Sequence, residues 1–337
     1  MAPRFYFQCA VFLCLLTGPT LRAQQSPYTV FYRSNWQFIN PAAIDRSHYL
    51  TRTHREMVLN AGARQQWIGL EGAPLLYFVS AEYCPQQASG SFPGDKFGVT
   101  AFSDKTDAIG TYGLYGNYSR YIPLPYTEGH VLHLGLGVGA NLYQVDWKKI
   151  RLANNNDPLQ GAYEGQFFVD FSIGAMYRIQ KKFYIGLSMP QIFTLSFQEK
   201  NEATGRFRKE KVPYVYLTIG GFIQRGEYSY KGKMTEETTI VVEPSAIVRY
   251  ATGIAYSTLL NNFPLSIDLN LRVHYNQRFW IGGGYGTNGL LNAEVGFGGF
   301  LENDNKWNIG VSYGVPVGKK YLSLGHSAEL TMGYYFN

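Results

Sequence analysis

The stretch LHLGLGVGANLY at residues 132–143 alternates strictly between two kinds of side chain. Its even-numbered positions carry five aliphatic side chains and one alanine, whereas its odd-numbered positions carry histidine, three glycines, asparagine and tyrosine. Successive side chains of a β-strand point to opposite faces, so the pattern predicts a strand with one apolar face and one polar, glycine-rich face. Such a strand suits a wall that has lipid on one side and a polar interior on the other.

The same period of two recurs along the chain. Residues 265–273 alternate aliphatic with polar side chains in the same way, over a similar length. Counting such segments gives about 14 predicted strands, and closed bacterial membrane barrels have an even number of strands. The predicted strands lie near residues 56–67, 74–83, 96–103, 110–121, 131–146, 167–178, 183–189, 214–225, 238–248, 265–275, 279–287, 291–301, 307–317 and 326–336.

The composition agrees with a membrane barrel. Tyrosine (27), phenylalanine (22) and glycine (37) are abundant and only 16% of residues are charged, yet the mean hydropathy of −0.18 is that of a soluble protein. Outer-membrane barrels combine these properties because lipid-facing and lumen-facing residues alternate and aromatic girdles flank the apolar band. We therefore predict an all-β, transmembrane outer-membrane β-barrel of about 14 antiparallel strands. A soluble β-sandwich or propeller, which also alternates, is the alternative fold.

The first 23 residues are predicted to be a signal peptide that is cleaved on export. Arg4 supplies an early positive charge, residues 5–16 form an apolar stretch, and Ala23 is taken as the last residue. The apolar stretch is too short to cross a bilayer as a helix, which takes about 20 residues. No later apolar run approaches that length, so the sequence excludes a helical membrane protein. Cleavage removes Cys9 and Cys14 and leaves one cysteine, Cys84, so no internal disulfide is expected.

The lengths of the links between predicted strands suggest an orientation. With the N-terminus in the periplasm, every link from an even to an odd strand is a periplasmic turn, and three such links are short: 180–182, 276–278 and 302–306. The two longest links, 147–166 and 190–213, fall on the outside. The periplasmic links at 84–95 and 226–237 are longer than such turns usually are, so either the strand count slips there or these segments have a role of their own.

The sequence contains no convincing cofactor or metal motif. Gly135-x-Gly137-x-Gly139 resembles a dinucleotide-binding loop, but that fingerprint needs a strand, a turn and a helix, whereas these glycines share one face of a continuous strand. We expect them to make room inside the barrel, and Gly282–Gly284 likewise. The six histidines show no metal-ligand spacing, and no basic cluster indicates nucleic-acid binding. No cofactor is therefore expected.

Two polar groupings permit other interpretations. Ser323, His326 and Ser327 lie close together in sequence, and an outer-membrane hydrolase would need a histidine beside a nucleophilic serine. A simple turn is the favoured interpretation of that group. Asp268 and Arg272 share the polar face of one predicted strand, where they would form part of the lumen lining as a solvated pair or as a selectivity element.

Three blocks of sequence go beyond a generic barrel. QSPY at residues 25–28 leads to FINPA at 38–42, RQQWxGxxGAP follows at 64–74, and GHSAELxxGY closes the chain at 325–334. Together they resemble the PorP/SprF family of type IX secretion membrane proteins, whose members carry an Asn-Pro-Ala element, an Arg-Gln-Gln-Trp-x-Gly strand and a related turn before the last strand. Internal strands at 182–190 and 278–282 are similar as well, so the resemblance covers nearly the whole mature chain.

The resemblance implies a division of the chain and a set of candidate residues. Residues 1–23 would be the signal peptide, 24–55 an N-terminal element packed at or in the barrel, and 56–337 the outer-membrane barrel. The matching residues are candidates for a structural role or for contact with a partner, with the structural role favoured: Asn40, Pro41, Arg64, Gln65, Gln66, Trp67, Gly69, Gly72, His326 and Glu329.

The resemblance also implies a function in the outer membrane, without catalysis. A barrel of this family would contact outer-membrane lipid. It would bind the type IX secretion ring and a peptidoglycan-binding lipoprotein, or escort and retain a secreted surface adhesin in gliding cells. The main alternative is a passive porin or a FadL-like transport channel, which would have an open lumen. The hydrolase is the third hypothesis.

Overall fold

The computed structural model describes most of the chain from Tyr32 onward. The predicted signal peptide lies outside the described residues, as does the charged link at 199–211. The described ranges are residues 32–43, 57–85, 95–124, 129–150, 165–179, 182–196, 213–225, 240–251, 265–276, 278–287, 289–301, 305–317 and 325–336.

Fifteen strand segments follow one another along the chain. They are β1 (Met57–Ile68), β2 (Leu75–Tyr83), β3 (Lys96–Thr106), β4 (Ile109–Pro123), β5 (His130–Val145), β6 (Gly165–Ile179), β7 (Phe183–Ser196), β8 (Tyr214–Gly221), β9 (Ile223–Arg225), β10 (Ile240–Ala251), β11 (Leu265–Tyr275), β12 (Phe279–Gly286), β13 (Leu290–Phe300), β14 (Lys306–Pro316) and β15 (His326–Phe336).

These segments form one closed antiparallel barrel. Each strand pairs with its neighbours in the chain, and β1 pairs with β15 from Met57 opposite Phe336 to Gln65 opposite Ala328. The short β8 and β9 both pair with β10, on either side of Phe222, and together they make one wall strand. The wall therefore has 14 strands, which confirms the predicted fold and leaves no sheet edge exposed to lipid.

The helical elements are short. A single 3₁₀ turn (Tyr32–Ser34) precedes α1 (Trp36–Ile39), and a second 3₁₀ turn (Trp147–Lys149) follows β5. At the second turn the carboxylate of Asp146 accepts a hydrogen bond from the Lys148 amide at 3.1 Å. In the described part of the chain, no helix has the length and apolar character needed to cross a membrane.

The barrel wall is apolar outside and polar inside. On β5, Leu136 is 61% exposed on the outer face, whereas His133 and Asn141 on the inner face are each 1% exposed. The same alternation of outward apolar and inward polar side chains follows the other strands. This polarity is the reverse of a soluble sandwich, and it is what a bilayer on the outside of the wall requires.

Strand β7 is longer than the sequence analysis predicted. The prediction ended this strand near residue 189, next to Pro190, which has no amide proton to donate to a sheet, but β7 continues to Ser196. The pairing with β6 shifts register next to Pro190, where Phe171 lies opposite Phe193 and Ile173 lies opposite Met189. Such a bulge takes the proline out of the regular ladder, so the strand resumes beyond it.

The two ends of the barrel differ in their links. The inner end is defined here as the end at which β1 begins and β15 finishes, and the opposite end is the outer end. The wall has the predicted number of strands, so a miscount does not explain the long links at 84–95 and 226–239. Both connect strands at the inner end.

We predict that a charge on the outer face of β5 costs more at mid-strand than near the outer end of the strand. Leu136→Lys at mid-strand is expected to destabilise the barrel by about 2–4 kcal/mol because it buries a cation in hydrocarbon. Gln144→Lys, on the same face near the outer end of the strand, is expected to cost at most about 1 kcal/mol. Urea unfolding in lipid vesicles measures both. Equal costs at the two positions would mean that this face does not cross a bilayer.

Candidate functional site

Residues 32–43, called the lumen segment here, lie inside the barrel. The indole of Trp36 contacts the ring of Tyr184 on β7 with centroids 5.0 Å apart, and the ring of Phe38 contacts Phe102 on β3 at 5.0 Å. The segment thus lies against separate strands of the wall. None of its residues pairs with a strand of the described sheet. Only side chains and isolated hydrogen bonds hold it.

The first end of the lumen segment is anchored by charge. Arg33 Nε lies 3.1 Å from Glu243 Oε1 on β10, and its Nη1 lies 4.0 Å from Glu294 Oε1 on β13. Its Nη2 also donates to Ser245, which shares a 2.6 Å hydrogen bond with the Tyr32 hydroxyl. Burial raises the pKa of the Tyr32 phenol, so the hydroxyl stays protonated. Arginine is always charged, which makes this a permanent ionic anchor.

The anchor belongs to a longer row of charges across the wall. Arg272 on β11 binds Glu294 through two bonds, Nε to Oε1 at 2.5 Å and Nη2 to Oε2 at 2.7 Å. His274 Nε2 lies 3.5 Å from Glu243 Oε2. Gly282 on β12, between Arg272 and Glu294, has no side chain to block this pair. Alternating charges offset the high cost of burying each of them alone.

Polar groups of the wall bind the main chain at the second end of the segment. Ser188 Oγ donates to the Ile39 carbonyl at 2.8 Å, Ser119 Oγ donates to the Ala42 carbonyl at 3.4 Å, and Lys96 Nζ donates to the Ala43 carbonyl. Asn40 Nδ2 in turn donates to the Ala175 carbonyl of β6 at 3.1 Å. These bonds satisfy backbone groups that sheet pairing would satisfy elsewhere.

Glycines of the wall make room for the segment. A Cβ at Gly135 would overlap the main chain of Ala42, and a Cβ at Gly174 would overlap the Asn40 side chain. At Gly98 a Cβ would overlap Gln37. Of the three inner-face glycines of β5, Gly135 lies against residues 41 and 42, whereas Gly137 and Gly139 make room for side chains of the wall itself.

Wall side chains fill the lumen on the outer side of the segment. Asp170 on β6 is 0% exposed. Its carboxylate accepts hydrogen bonds from the Tyr115 hydroxyl at 2.7 Å, Thr194 Oγ1 at 2.7 Å, Asn141 Nδ2 at 2.5 Å and Gln191 Nε2 at 3.3 Å. This network joins strands β4 to β7 across the interior. Several bonds to one carboxylate make a strong, rigid junction.

The candidate residues from the sequence lie in four places, of which the first two are inside the barrel. Asn40 and Pro41 are buried in the lumen segment. Arg64 on β1 and Glu329 on β15 are paired in register at the seam, with Nε and Oε2 3.9 Å apart and both side chains buried. The first and last family-like blocks of the barrel thus meet where it closes.

The remaining candidates of the Arg-Gln-Gln-Trp block lie at the outer end, where Gln65, Gln66 and Trp67 are among the last residues of β1 and Gly69 and Gly72 belong to the link to β2. Gln65 is exposed, and the Gln66 amide donates to the Pro74 carbonyl at 2.9 Å. Trp67, Gly69 and Gly72 have positive φ values of 52°, 99° and 71°. Glycine suits this region of backbone space because it has no Cβ, so the two glycines permit the turn.

The suggested catalytic grouping is not assembled by the described residues. His326 is exposed and stacks on Tyr313 with ring centroids 5.4 Å apart, whereas Ser327 is 3% exposed and faces the interior. The two are neighbours on a strand and point to opposite faces. Ser323 lies outside the described residues. Among the described residues no three histidine, cysteine, aspartate or glutamate side chains are placed to bind a metal ion.

The suggested pair of Asp268 and Arg272 is also corrected. Arg249 on β10 donates to Asp268, whereas Arg272 binds Glu294. Both Asp268 and Arg272 are buried, at 3% and 4% exposure, rather than solvated. Four residues of extended backbone separate the two by about 13 Å, so Asp268 pairs with the neighbouring strand β10 and Arg272 reaches past Gly282 of β12 to β13.

We predict that a side chain at Gly135 interferes with the lumen segment. Gly135→Val is expected to destabilise the barrel by about 1–3 kcal/mol through overpacking against Ala42. Gly116→Val on the adjacent β4 is the matched control, since a Cβ there has nothing within 4 Å. Urea midpoints, read from the gel mobility of unheated samples, compare the two. Equal midpoints would show that Gly135 does not support the segment in solution.

Several solved structures are similar in overall shape at low sequence identity. The CymD monoaromatic hydrocarbon channel aligns with a TM-score of 0.47 and 10% identity, over 93% of this chain and 94% of that one. The toluene transporter TodX of P. putida gives 0.46 and 8%, over 93% and 99%. The toluene transporter TbuX of Ralstonia pickettii gives 0.44 and 9%, over 89% and 93%.

Sequence comparison assigns the family. No curated protein sequence matches the chain. The family model described as "Type IX secretion system membrane protein PorP/SprF" matches residues 21–334, which is nearly the whole chain. The match includes the lumen segment and every strand of the barrel except the last residues of β15. The chain therefore belongs to the PorP/SprF family of type IX secretion system membrane proteins, and its barrel resides in the outer membrane.

Proposed function

We propose that this barrel serves type IX secretion by holding a protein partner, and that it neither conducts solutes nor catalyses a reaction. The observation that carries the proposal is the filled lumen. The lumen segment crosses the inner half of the barrel, and wall side chains centred on Asp170 fill part of the outer half.

Burial of the inward side chains supports this argument at both ends of the barrel. Ser327 and Asn292, near the outer end, are 3% and 6% exposed, and Glu82 and Lys306, near the inner end, are 4% and 6% exposed. The walls of a porin lumen are polar and wetted by a water-filled channel. Polar side chains that face the interior but have almost no accessible surface support a closed scaffold instead.

The links at the two ends of the barrel would meet two different kinds of partner. With the chain termini in the periplasm, the links at 84–95 and 226–239 belong to the periplasmic side, where a secretion ring and a peptidoglycan-binding lipoprotein would be reached. The links at 146–164, 197–213 and 252–264 belong to the outer side, where a surface adhesin would be retained. The long periplasmic links favour machinery partners, because turns on that side of a membrane barrel are usually short.

The rival channel hypothesis predicts a measurable current. Wild-type barrel inserted in a planar bilayer is expected to give no steady conductance. A variant lacking residues 32–43 is expected to conduct, with a preference for cations because Glu243 and Glu294 lose Arg33. Gel mobility of the unheated sample confirms folding of both proteins. Stable conductance by the wild type would favour a porin or transport channel.

Affinity purification from detergent-solubilised outer membranes tests the partner proposal. We expect a tagged barrel to retain ring or lipoprotein components, or one large adhesin, identified by mass spectrometry. Replacing residues 227–238 with a glycine-serine linker is expected to lose the machinery partners alone. The same replacement at 198–211 serves as the control for the outer side and is expected to lose only an adhesin. Recovery of no partner by the wild type would contradict the proposal.

A further inference from the structure

The wall binds the lumen segment in the way that a receptor binds a peptide. Ser188, Ser119 and Lys96 donate to main-chain carbonyls of the segment. Asn117 Nδ2 also donates to the Gln37 carbonyl, at 3.5 Å. Hydrogen bonds to the main chain give a peptide affinity for its site without regard to sequence, and pockets for particular side chains add specificity.

Two side chains of the segment occupy sites shaped for them. Arg33 meets Glu243, Glu294 and Ser245 at one end. Asn40, seven residues later, lies against Gly174 and Gly186, and a Cβ at Gly174 would overlap its amide. The Asn40 Oδ1 atom also accepts the Ala42 amide at 2.9 Å, which fixes the bend at Asn-Pro. An arginine followed after seven residues by Asn-Pro is therefore the pattern that this site recognises.

The segment is bound to the barrel wall but is not part of the sheet that forms it. It has no strand partner in the described sheet, and residues 44–56 connect it to β1. The site lies toward the inner end, because Lys96 and Glu243 are among the first residues of β3 and β10 at that end, and both are buried while the segment is in place. A peptide arriving from the periplasmic side would meet the same groups.

We propose that the inner half of the lumen is a peptide-binding site. Its present occupant is the chain's own lumen segment, and it accepts in trans a short peptide with an arginine and, seven residues on, Asn-Pro. This inference goes beyond the proposed function and does not depend on which secretion partner the barrel holds. A periplasmic partner that carries such a peptide would thus displace the lumen segment and occupy the site in its place.

The tether sets the condition for observing exchange. Covalent connection through residues 44–56 gives the chain's own segment an effective concentration of about 1 mM, so a free peptide competes poorly with it. Weakening the tethered copy while leaving the wall intact removes this advantage. Arg33→Ala does so, because the carboxylates of Glu243 and Glu294 remain available to the arginine of an added peptide.

The test uses the full-length barrel and a fluorescein-labelled peptide of residues 32–43. We expect the peptide to bind the Arg33→Ala barrel at least tenfold more tightly than it binds the wild type, as measured by fluorescence anisotropy in detergent. A labelled peptide that itself carries Arg33→Ala, and a scrambled peptide of the same composition, are the matched controls and are expected to lose this preference. The Asn40→Ala barrel is the second variant and is expected to bind the wild-type peptide more tightly than the wild-type barrel does.

Three results would overturn the proposal. The Arg33→Ala and Asn40→Ala barrels could fold, as shown by gel mobility, and yet bind the peptide no better than the wild type. They could bind the scrambled peptide equally well, which would show mere adhesion to a charged lumen. Both variants could fail to fold, which would make the segment an inseparable part of the core. None of these results bears on recovery of secretion partners by the wild-type barrel, so the two proposals fail independently.

Discussion

The ion pair between Arg33 and Glu243 joins two parts of the chain that are 210 residues apart in sequence and buried in the same lumen. The wall brings Glu243 and Glu294 inward on β10 and β13, and the interior must supply a cation near both. Arg272 supplies a second cation from the wall, and His274 Nε2 lies 3.5 Å from the other oxygen of Glu243. Because breaking a buried pair leaves a charge uncompensated, at a cost of about 3–5 kcal/mol, the position of the lumen segment and the charge pattern of the wall depend on each other.

This arrangement follows from the reversed polarity of the barrel. Lipid accepts the apolar outer face, so burial of apolar side chains inside the protein contributes less than it does in a soluble domain. Closure of the 14-strand ring gives the backbone N–H and C=O groups of the strands their hydrogen-bond partners. Networks around Asp170 and Arg33 bind polar side chains that face the interior. The aromatic contacts of Trp36 and Phe38 are the nearest equivalent of a conventional core. The filling of the lumen by the segment and these networks supports the proposal that the barrel is a rigid platform for a protein partner.

The sequence predicted the wall well because the period of two is a local property. The same period assigned the glycines of β5 to the inner face of the strand and its leucines to the outer face. The end of β7 was missed, since a proline is expected to end a strand and only a bulge beside Pro190 lets the strand continue. The same period placed His326 and Ser327 on opposite faces, and this local rule already weakens the case for a catalytic pair.

The candidate site could be predicted only in part. The resemblance selected Asn40, Arg64 and Glu329, all of which are buried in the interior. Arg33 and Glu243 were missed, because the path of a segment without sheet pairing has no periodic signal. The partner of an inward charge depends on the register of several strands, as the separate partners of Asp268 and Arg272 show. Pairing across a lumen is a property of the closed barrel and cannot be read from one strand.

A double-mutant cycle on Arg33 and Glu243 tests most directly whether this pair holds the lumen segment in place. Free energies of unfolding would be measured in urea for the wild type, Arg33→Ala, Glu243→Ala and the double variant, in the same lipid vesicles. The account predicts that each single change is strongly destabilising and that the double variant loses less than their sum, with a coupling of about 1–3 kcal/mol. Strict additivity of the two changes would contradict it, because residues that do not interact show no coupling.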